Sequence, residues 1–279
     1  MIVSGGTEVE DFSESIAIGI DGYIIKPIEF SQLNKVLYKI TKNITNNKLI
    51  EEYKKNLEKK VAQRTQEIRH TRLEIIRCLG RASDYRDNET GLHIVRMSHY
   101  SRLLTQKLFP DDIAFINLIY NASPLHDVGK IGIPDAILLK PGKFNDEEWE
   151  IMKKHTKYGA EIIDKEDSQI MKTSKEIALS HHEKWDGSGY PSGIKGENIP
   201  LSGRIVAVAD VFDALTTVRP YKEAWSVEDA VKYINEQSGI HFDPKIVDAF
   251  NSIINDFLVI KKAHTEDIEE EKKAELIHY

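Results

Sequence analysis

The chain has 279 residues, of which 41% are hydrophobic and 30% charged, and its formal net charge at pH 7 is −7. This composition predicts a soluble globular protein with a hydrophobic core, and the acidic balance argues against broad nucleic-acid binding, which needs a basic surface. The sequence has no apolar run of about 18 residues and no signal-peptide pattern, and its single cysteine excludes an internal disulfide, so we expect a cytoplasmic protein without a membrane span.

Residues 1–42 alternate between short strands and helices. The apolar pieces MIVSGG and DGYIIKP predict strands, and Pro27 ends the second one. The stretches VEDFSESIAIGI and SQLNKVLYKI carry apolar residues at helical spacing. The segment therefore predicts a partial α/β domain, which is too short to form a stable doubly wound sheet by itself.

Residues 43–80 predict one long, charged helix that contains no proline. Apolar residues recur along it at intervals of seven in two neighbouring series, Val61, Ile68 and Ile75, and Ile50, Leu57 and Cys78. This repeat is typical of a coiled coil, so we expect a linker helix that forms a homodimer through residues 45–80, with Cys78 packed against apolar neighbours. The second series also contains polar residues, and the alternative is a solvated single helix packed on one domain.

Residues 81–264 predict a domain built almost entirely of helices, because apolar residues recur there at intervals of three and four. Two loops rich in glycine and proline, KIGIPDAILLKPGKF and WDGSGYPSGIKGENIPLSG, interrupt the helices, and such loops often carry function. Asn145 followed by Glu148 predicts a capping box at a helix start. Residues 265–279 predict a charged tail. The fold class predicted for the chain is mainly α.

Residue types that bind metals are concentrated in this helical segment. Glu89 precedes His93 by four residues, so both can lie on one helix face. The adjacent pair His126 and Asp127 is at a helix end, and His155 is within a helix. The adjacent pair His181 and His182 precedes a glycine-rich loop, and Asp210 is a carboxylate in an apolar helix. Imidazole and carboxylate ligands together suit Fe, Mn, Zn or Ni rather than Ca or Mg alone.

Each of these residues has an ordinary structural explanation when it is taken singly. The pair His181 and His182 fits a helix C-terminus, where the helix dipole favours histidine. Asp210 could instead pair with Arg204 or Arg219. If all of these ordinary explanations held, several helices would each supply a metal-binding residue type for an unrelated reason. Taken together, the residues therefore favour a centre of two or three metal ions. Close metal pairs are a known solution for phosphoester hydrolysis.

The motifs ETGLHIVRM, HDVGK, HTKYGAEII, HHEKWDGSGYP and RIVAVADVFDALTTVRPYK resemble the successive motifs of the HD-GYP family of phosphohydrolases. The resemblance covers about residues 81–248. It implies a helical HD-type metallohydrolase domain over residues 81–264 that hydrolyses cyclic di-GMP to pGpG and/or GMP. It also implies two or three divalent metal ions, Fe or Mn by family likeness, and these metal ligands: Glu89, His93, His126, Asp127, His155, His181, His182 and Asp210.

Roles for residues around the metals follow from the resemblance and, for Lys130, from its position three residues after Asp127. Catalysis is expected from His126, Asp127 and Lys130, and the Lys130 ammonium would stabilise the phosphorane charge or protonate the leaving oxygen. A hydroxide produced at the metals would attack phosphorus, and the 3′ oxygen would leave. The residues expected to bind substrate are Lys130, Gly189, Tyr190, Pro191, Arg219, Tyr221 and Lys222. The alternatives are an ordinary surface lysine at position 130 and a plain turn at Gly-Tyr-Pro.

Residues 1–42 resemble the second half of a response-regulator receiver domain. Lys26 and Pro27 match its lysine–proline signature, Ser4 resembles its switch hydroxyl residue and Tyr23 its switch aromatic residue. The acidic pair and the phosphoacceptor aspartate would lie before the first residue, so we expect a partial receiver that cannot be phosphorylated in the usual way. The resemblance implies the output module of a two-component-type signalling protein, with a sensor kinase as partner only where a complete receiver exists.

Three other functions stay open at this point. The first is the same chemistry on another cyclic dinucleotide, such as cyclic GMP-AMP, because the sequence does not reveal which residues would separate guanine from adenine. The second is a general HD nucleotidase, against which the Gly-Tyr-Pro and Arg-Pro-Tyr-Lys motifs count. The third is a non-catalytic signalling adaptor that acts through the coiled coil, which missing metal ligands would favour.

Overall fold

The computed structural model describes residues 2–4, 23–25, 27–87, 91–164, 167–218 and 223–264. Contacts between residues divide the chain into two compact units, Met1–His70 and Thr71–Tyr279. Helices make up most of the described residues, which confirms the mainly α fold class. None of the described helices combines the length and the apolar character that crossing a membrane requires.

The first unit contains two short strands and the beginning of a long helix. Strand β1 (Ile2–Ser4) pairs with strand β2 (Tyr23–Ile25) in parallel, with Ile2 opposite Tyr23. Both strands were expected, and Ile24 on β2 is buried. The helix predicted between them, and Lys26 of the receiver signature, fall outside the described residues. The likeness to a receiver domain therefore stays a prediction.

Helix α1 (Phe30–Arg86) runs without interruption through the two boundaries expected near residues 42 and 80. Its heptad residues in the first unit are exposed, with 58% of Val61 and 54% of Ile68 accessible. In an isolated chain these large apolar side chains stay in contact with water and add no stability through burial. A partner helix that covered them would explain their presence. The coiled-coil dimer itself stays a prediction.

The expectation that Cys78 packs against apolar neighbours is wrong for the chain taken singly, because its side chain is exposed. The buried face of α1 in the second unit carries Ile76 and Gly80, four residues apart. Cys78 lies two positions from each of them, which places it on the opposite side of a helix with 3.6 residues per turn.

The second unit is a bundle of helices that begins with the last turns of α1. Short 3₁₀ turns at Ser123–Leu125, Val128–Gly132 and Gly196–Asn198 interrupt the chain. The remaining helices are α2 (Leu92–Leu108), α3 (Ile113–Ala122), α4 (Asp135–Leu138), α5 (Asp146–Met152), α6 (His155–Ile163), α7 (Gln169–Ser180), α8 (Leu201–Thr216), α9 (Val227–Glu236), α10 (Pro244–Ser252) and α11 (residues 254–264).

Helix α8 lies at the centre of this bundle. Its run from Ile205 to Ala209 is buried on all sides, as expected for a helix that is apolar around its whole circumference. It contacts α2, α7, α9 and α10. Aromatic side chains close the core beside it, with Tyr100 stacked on Phe257 at 4.4 Å between ring centroids. Full burial of one such large side chain contributes about 1.5–3 kcal/mol relative to leaving it exposed.

The predicted capping box is present at the start of α5, where the Asn145 side chain accepts from the Glu148 backbone N–H and the Glu148 carboxylate accepts from the Asn145 N–H. The expectation that His155 lies within a continuous helix is wrong, because it is the first residue of α6. The Met152 carbonyl would accept from Thr156 in a continuous helix, but it is bound by the His155 ring. The helix therefore breaks at Lys153 and Lys154 and restarts at the histidine.

Candidate metal centre

Seven histidine and aspartate side chains, of the types that can bind a metal ion, meet in two adjoining groups in the second unit. Within each group, one ligand atom from every residue lies within 4.8 Å of the others. The first group is Asp127, His155, His181 and His182, and the second is His93, His126 and Asp210. His126 Nε2 lies 3.4 Å from Asp127 Oδ2, so the two groups are adjacent. They bring together residues from α2, α6, α8, the end of α7 and the loop between two 3₁₀ turns.

The backbone fixes which ring nitrogen each of three histidines turns towards the centre. The Nδ1 atoms of His126, His155 and His181 lie 2.8–3.1 Å from the carbonyl oxygens of Ser123, Met152 and Ile177. A carbonyl can only accept, so each Nδ1 must carry the proton. In the neutral ring Nε2 then presents its lone pair to the centre. This is the arrangement in which protein histidines bind metal ions.

The atoms facing the centre lack the partners that burial requires. The Nε2 atoms of His126, His155 and His181 and Oδ1 of Asp127 are buried, and none has a hydrogen-bond partner among the described residues. Asp127 Oδ1 lies 3.2 Å from His155 Nε2 and 3.4 Å from His181 Nε2. Adjacent ligands of one ion with bonds of about 2.1 Å have about this separation. Acceptors grouped in this way are costly unless a cation lies among them, so the residues fit a divalent metal ion.

Asp127 connects the two groups because its oxygens face different partners. Oδ1 faces His155 and His181, whereas Oδ2 faces His126 and the Lys130 ammonium, at 2.8 Å from Lys130 Nζ. Burial acts to raise the pKa of Asp127, but Lys130 and His126 together hold it well below the usual value. Burial acts to lower the pKa of His126, but Asp127 and then Asp210 raise it overall. The carboxylates thus favour positive charge at the centre.

The histidine pair that closes the first group has the opposite electrostatic character. Burial lowers the pKa of His181, and it lowers that of His182 well below the usual value with a further contribution from the neighbouring His181. Both rings are therefore held neutral. Neutral imidazole is the form that binds a metal.

Asp213 and Arg96 support the second group and were missed in the sequence. His93 Nδ1 donates to Asp213 Oδ2 at 2.9 Å, and buried Arg96 contacts both oxygens of Asp213 at 2.7 and 2.8 Å. Burial acts to raise the pKa of Asp213, but Arg96 and His93 lower it strongly overall, so the group is a carboxylate. The available signal was spacing, because Asp213 follows Asp210 by three residues in an otherwise apolar helix and shares its face.

Lys130 is held between two carboxylates rather than exposed as an ordinary surface lysine. Its Nζ lies 2.5 Å from Asp87 Oδ2, in addition to its contact with Asp127. Asp87 follows the last residue of α1, and no sequence pattern singled it out. The neighbouring Arg86 donates to the carbonyl oxygens of Lys130, Ile131 and Ile133 and to Asp135.

The Gly-Tyr-Pro loop lies against the first group. The Tyr190 ring stacks on His182 at 4.8 Å between centroids, and its backbone N–H donates to the His182 carbonyl. A Cβ at Gly189 would overlap the backbone of Glu183 and Lys184, so only glycine fits there. Pro191 follows in a cis peptide with Tyr190. These three residues, which were expected to bind substrate, therefore lie next to the centre.

Four expected site residues lie outside the described residues: Glu89, Arg219, Tyr221 and Lys222. Their roles stay predictions.

Asp210 does not pair with Arg204, which was the alternative explanation for a carboxylate in this helix. Arg204 Nη1 instead donates to Asp243 at 2.6 Å, and its Nε donates to the Ile199 carbonyl. Asp210 faces His93 Nε2 at 3.5 Å.

Comparison with known proteins agrees with this geometry. Residues 46–246 match the HD domain family, and the chain therefore belongs to that family. The matched range contains all seven residues of the two candidate metal-binding groups.

Three relatives show which proteins the chain is similar to. It is 47% identical over 213 residues to a cyclic di-GMP phosphodiesterase of Vibrio cholerae serotype O1, a match that covers 72% of the chain and 43% of the relative. It is 46% identical over 195 residues to a 3′3′-cGAMP-specific phosphodiesterase 2 of the same organism, covering 70% and 37%. It is 38% identical over 284 residues to a cyclic di-GMP phosphodiesterase of Thermotoga maritima, covering 99% and 75%. The chain spans less than half the length of the two Vibrio relatives.

Proposed function

We propose that the chain is an HD-GYP-type, metal-dependent phosphodiesterase that hydrolyses cyclic di-GMP to pGpG and/or GMP. The observation that carries this proposal is the group of buried acceptor atoms on Asp127, His126, His155 and His181. They face one another and have no hydrogen-bond partner in the part of the chain that the structure describes. Relatives named for hydrolysis of cyclic dinucleotides support the substrate class.

The proposed ligands are those of the two groups, His93, His126, Asp127, His155, His181, His182 and Asp210, joined by Glu89. Two or three divalent ions, Fe or Mn, would lower the pKa of bound water and offset charge on the phosphate when bound. Buried Asp127 would be shared by both groups through its two oxygens. Asp213 would orient His93 and keep its Nε2 available to the centre.

Lys130 would act on the substrate rather than on the metals. Its ammonium lies 2.8 Å from Asp127 Oδ2, so a phosphate oxygen bound beside that carboxylate would be within its reach. Positive charge at that point stabilises the negative charge that develops on phosphorus. Tyr190 and its neighbours would exclude water from one side, and Arg219, Tyr221 and Lys222 would bind the rest of the nucleotide.

Metal content and product analysis test this proposal together. Purified protein loaded with Mn or Fe is expected to retain metal after desalting and to convert cyclic di-GMP to a linear product. The variant His126→Ala/Asp127→Ala is expected to lose at least about a thousandfold in turnover and to bind less metal, while its circular dichroism stays helical. Asp111→Ala, which removes an exposed carboxylate, is the matched control. Turnover retained in the double variant would overturn the proposal.

Cyclic GMP-AMP is the second candidate substrate because the identities to the two Vibrio relatives, 47% and 46%, are nearly equal. Parallel assays with both cyclic dinucleotides and with pGpG separate the candidates. A higher kcat/KM for cyclic GMP-AMP would reassign the substrate without affecting the metal centre. Metal-free protein with intact fold and no turnover would favour a signalling adaptor.

The proposal extends to the setting of the enzyme, a cytoplasmic homodimer that is the output module of a signalling protein. Exposed heptad residues on α1 support the dimer. Light scattering is expected to show a dimer for the parent chain and a monomer for Val61→Glu/Ile68→Glu, because like charges at facing core positions repel. A sensor kinase would be a partner only of a form with a complete receiver.

A further inference from the structure

A cleft of about 150 Å³ opens beside the Gly-Tyr-Pro loop, where the chain passes from α5 to α6. It is lined by Glu150, Lys153, Lys154, Lys157, Tyr190 and Pro191. Pockets that hold a whole drug-sized ligand are about 300–1,000 Å³, so this cleft has room for only part of a nucleotide.

Three lysines and one glutamate give the cleft a local positive charge in a chain whose net charge is −7. Lys153 Nζ lies 2.5 Å from Glu150 Oε1 and 5.9 Å from the centre of the Tyr190 ring. Lys154 and Lys157 are exposed, and neither forms an ion pair with any described residue. Two ammonium groups are therefore available to an anion in the cleft.

One aromatic ring separates the cleft from the metal centre. Tyr190 lines the cleft, stacks on His182 and meets the His155 ring edge-on at 6.4 Å between centroids. Lys154 directly precedes His155 in the chain. Tyr190 therefore contacts the centre on one side and lines the cleft on the other, and a ligand that occupied both would pass along this ring.

We propose that this cleft binds the phosphate of the cyclic dinucleotide that is not being cleaved, with Lys154 and Lys157 as its ligands. The inference rests on the proposed function, because a cyclic dinucleotide carries two phosphodiesters in one ring. While one phosphodiester is at the metal centre, the other must lie a short distance away. Lysine binds phosphate as a point charge, which suits a ring that presents its second phosphate at an exposed edge.

Two substrates of different size test this inference. The variant Lys154→Ala/Lys157→Ala is expected to raise the KM for the cyclic dinucleotide and the Kd of a fluorescent analogue about tenfold, with kcat changed less than about threefold. Turnover of bis(p-nitrophenyl) phosphate, which has a single phosphodiester, should stay unchanged. Lys172→Ala/Lys232→Ala removes two exposed lysines elsewhere and is the matched control.

The outcomes separate this inference from the proposed function. Unchanged KM and Kd in the double variant, or an equal loss with both substrates, would overturn the role of the cleft and leave the hydrolase in place. Parent protein that hydrolyses bis(p-nitrophenyl) phosphate but neither binds nor cleaves a cyclic dinucleotide would overturn the proposed substrate, and this inference with it. The parent could bind a free mononucleotide more tightly than the double variant does, with no difference between them for the cyclic substrate. That result would assign the cleft to a separate nucleotide and contradict the inference.

Discussion

Asp213 Oδ2 lies 2.9 Å from His93 Nδ1, and the same carboxylate contacts buried Arg96 through both oxygens. Asp213 is only 1% exposed, so these contacts replace all of its hydration. The carboxylate therefore serves two purposes at once. It holds the His93 ring towards the centre, and it neutralises an arginine in the core.

Replacing Asp213 with Asn is expected to weaken both metal binding and the fold. Loss of a carboxylate that orients a ligand histidine reduces metal affinity about 10–100-fold, and removing one partner of a buried ion pair costs about 3–5 kcal/mol. Metal titration and urea unfolding measure the two effects. Asp111→Asn, at an exposed position, should change neither.

The pKa of Asp213 adds a pH dependence to the same comparison. Because its folded pKa lies below the unfolded value of about 4, the stabilisation by Asp213 is fully present above that value and falls as pH drops towards the folded pKa. The difference in unfolding free energy between parent and Asp213→Asn should therefore be constant at neutral pH and shrink below about pH 4. A difference that grows on acidification would contradict this account.

Asp87 is expected to be a positioning residue for Lys130. Its Oδ2 lies 2.5 Å from Lys130 Nζ, so Asp87→Asn should loosen the ammonium and reduce kcat about tenfold or more, with a smaller change in KM. Asp87→Glu should restore part of kcat because it returns the charge. Steady-state kinetics of the three proteins checks this, and metal content should be equal in all. A pure rise in KM would instead indicate a role in substrate binding.

Gly129 is expected to tolerate no side chain. A Cβ at this position would overlap the His155 carbonyl and the Gly159 backbone nitrogen, so Gly129→Ala must push α6 away from the loop that carries Asp127. Overpacking of this kind costs about 1–3 kcal/mol or more. We expect a lower melting temperature and reduced metal content. Gly142→Ala provides the contrast, because open space surrounds that position and only its positive φ of 102° opposes the change.

His241 is expected to make the fold sensitive to mild acid. Burial, and then the nearby Lys184, lower its pKa to about 4, against about 6.5 in the unfolded chain. The unfolded state therefore binds more protons between these values, and stability falls as pH drops from about 6.5 to about 4. The loss attributable to His241 is of the order of 2–3 kcal/mol. Urea unfolding across this range should show a steeper loss in the parent than in His241→Gln.

The sequence was sufficient for elements whose signal is local. Helix α8 was identified by its apolar run, α5 by its capping box and β2 by the proline that follows it. The break before α6 was not foreseen, because it depends on the His155 ring binding the Met152 carbonyl, which no propensity reports. Boundaries were predicted near residues 42 and 80, but α1 continues through both of them. A change in composition does not by itself end a helix.

Much of the candidate centre could also be named in advance, since His126, Asp127, His155, His181 and Asp210 are unusual in the segments where they occur. Their supporting residues could not. Asp213, Arg96 and Asp87 resemble ordinary charged residues in the sequence, and only the packing of α2 on α8, and of the end of α1 on the loop, brings them to their partners. Such residues are defined by tertiary contacts rather than by local pattern.

Several side-chain to backbone hydrogen bonds join the end of α1 to Asp127 and the loop that follows it. Ser83 Oγ donates to the Asp127 carbonyl at 2.8 Å, and Arg86 donates to the carbonyl oxygens of Lys130, Ile131 and Ile133. Elements connected in this way open together, so their amides should exchange with solvent as one cooperative unit. Fraying of the last helical turn would then release the peptide groups that hold Asp127, and the reactivity of the centre would follow the integrity of that turn.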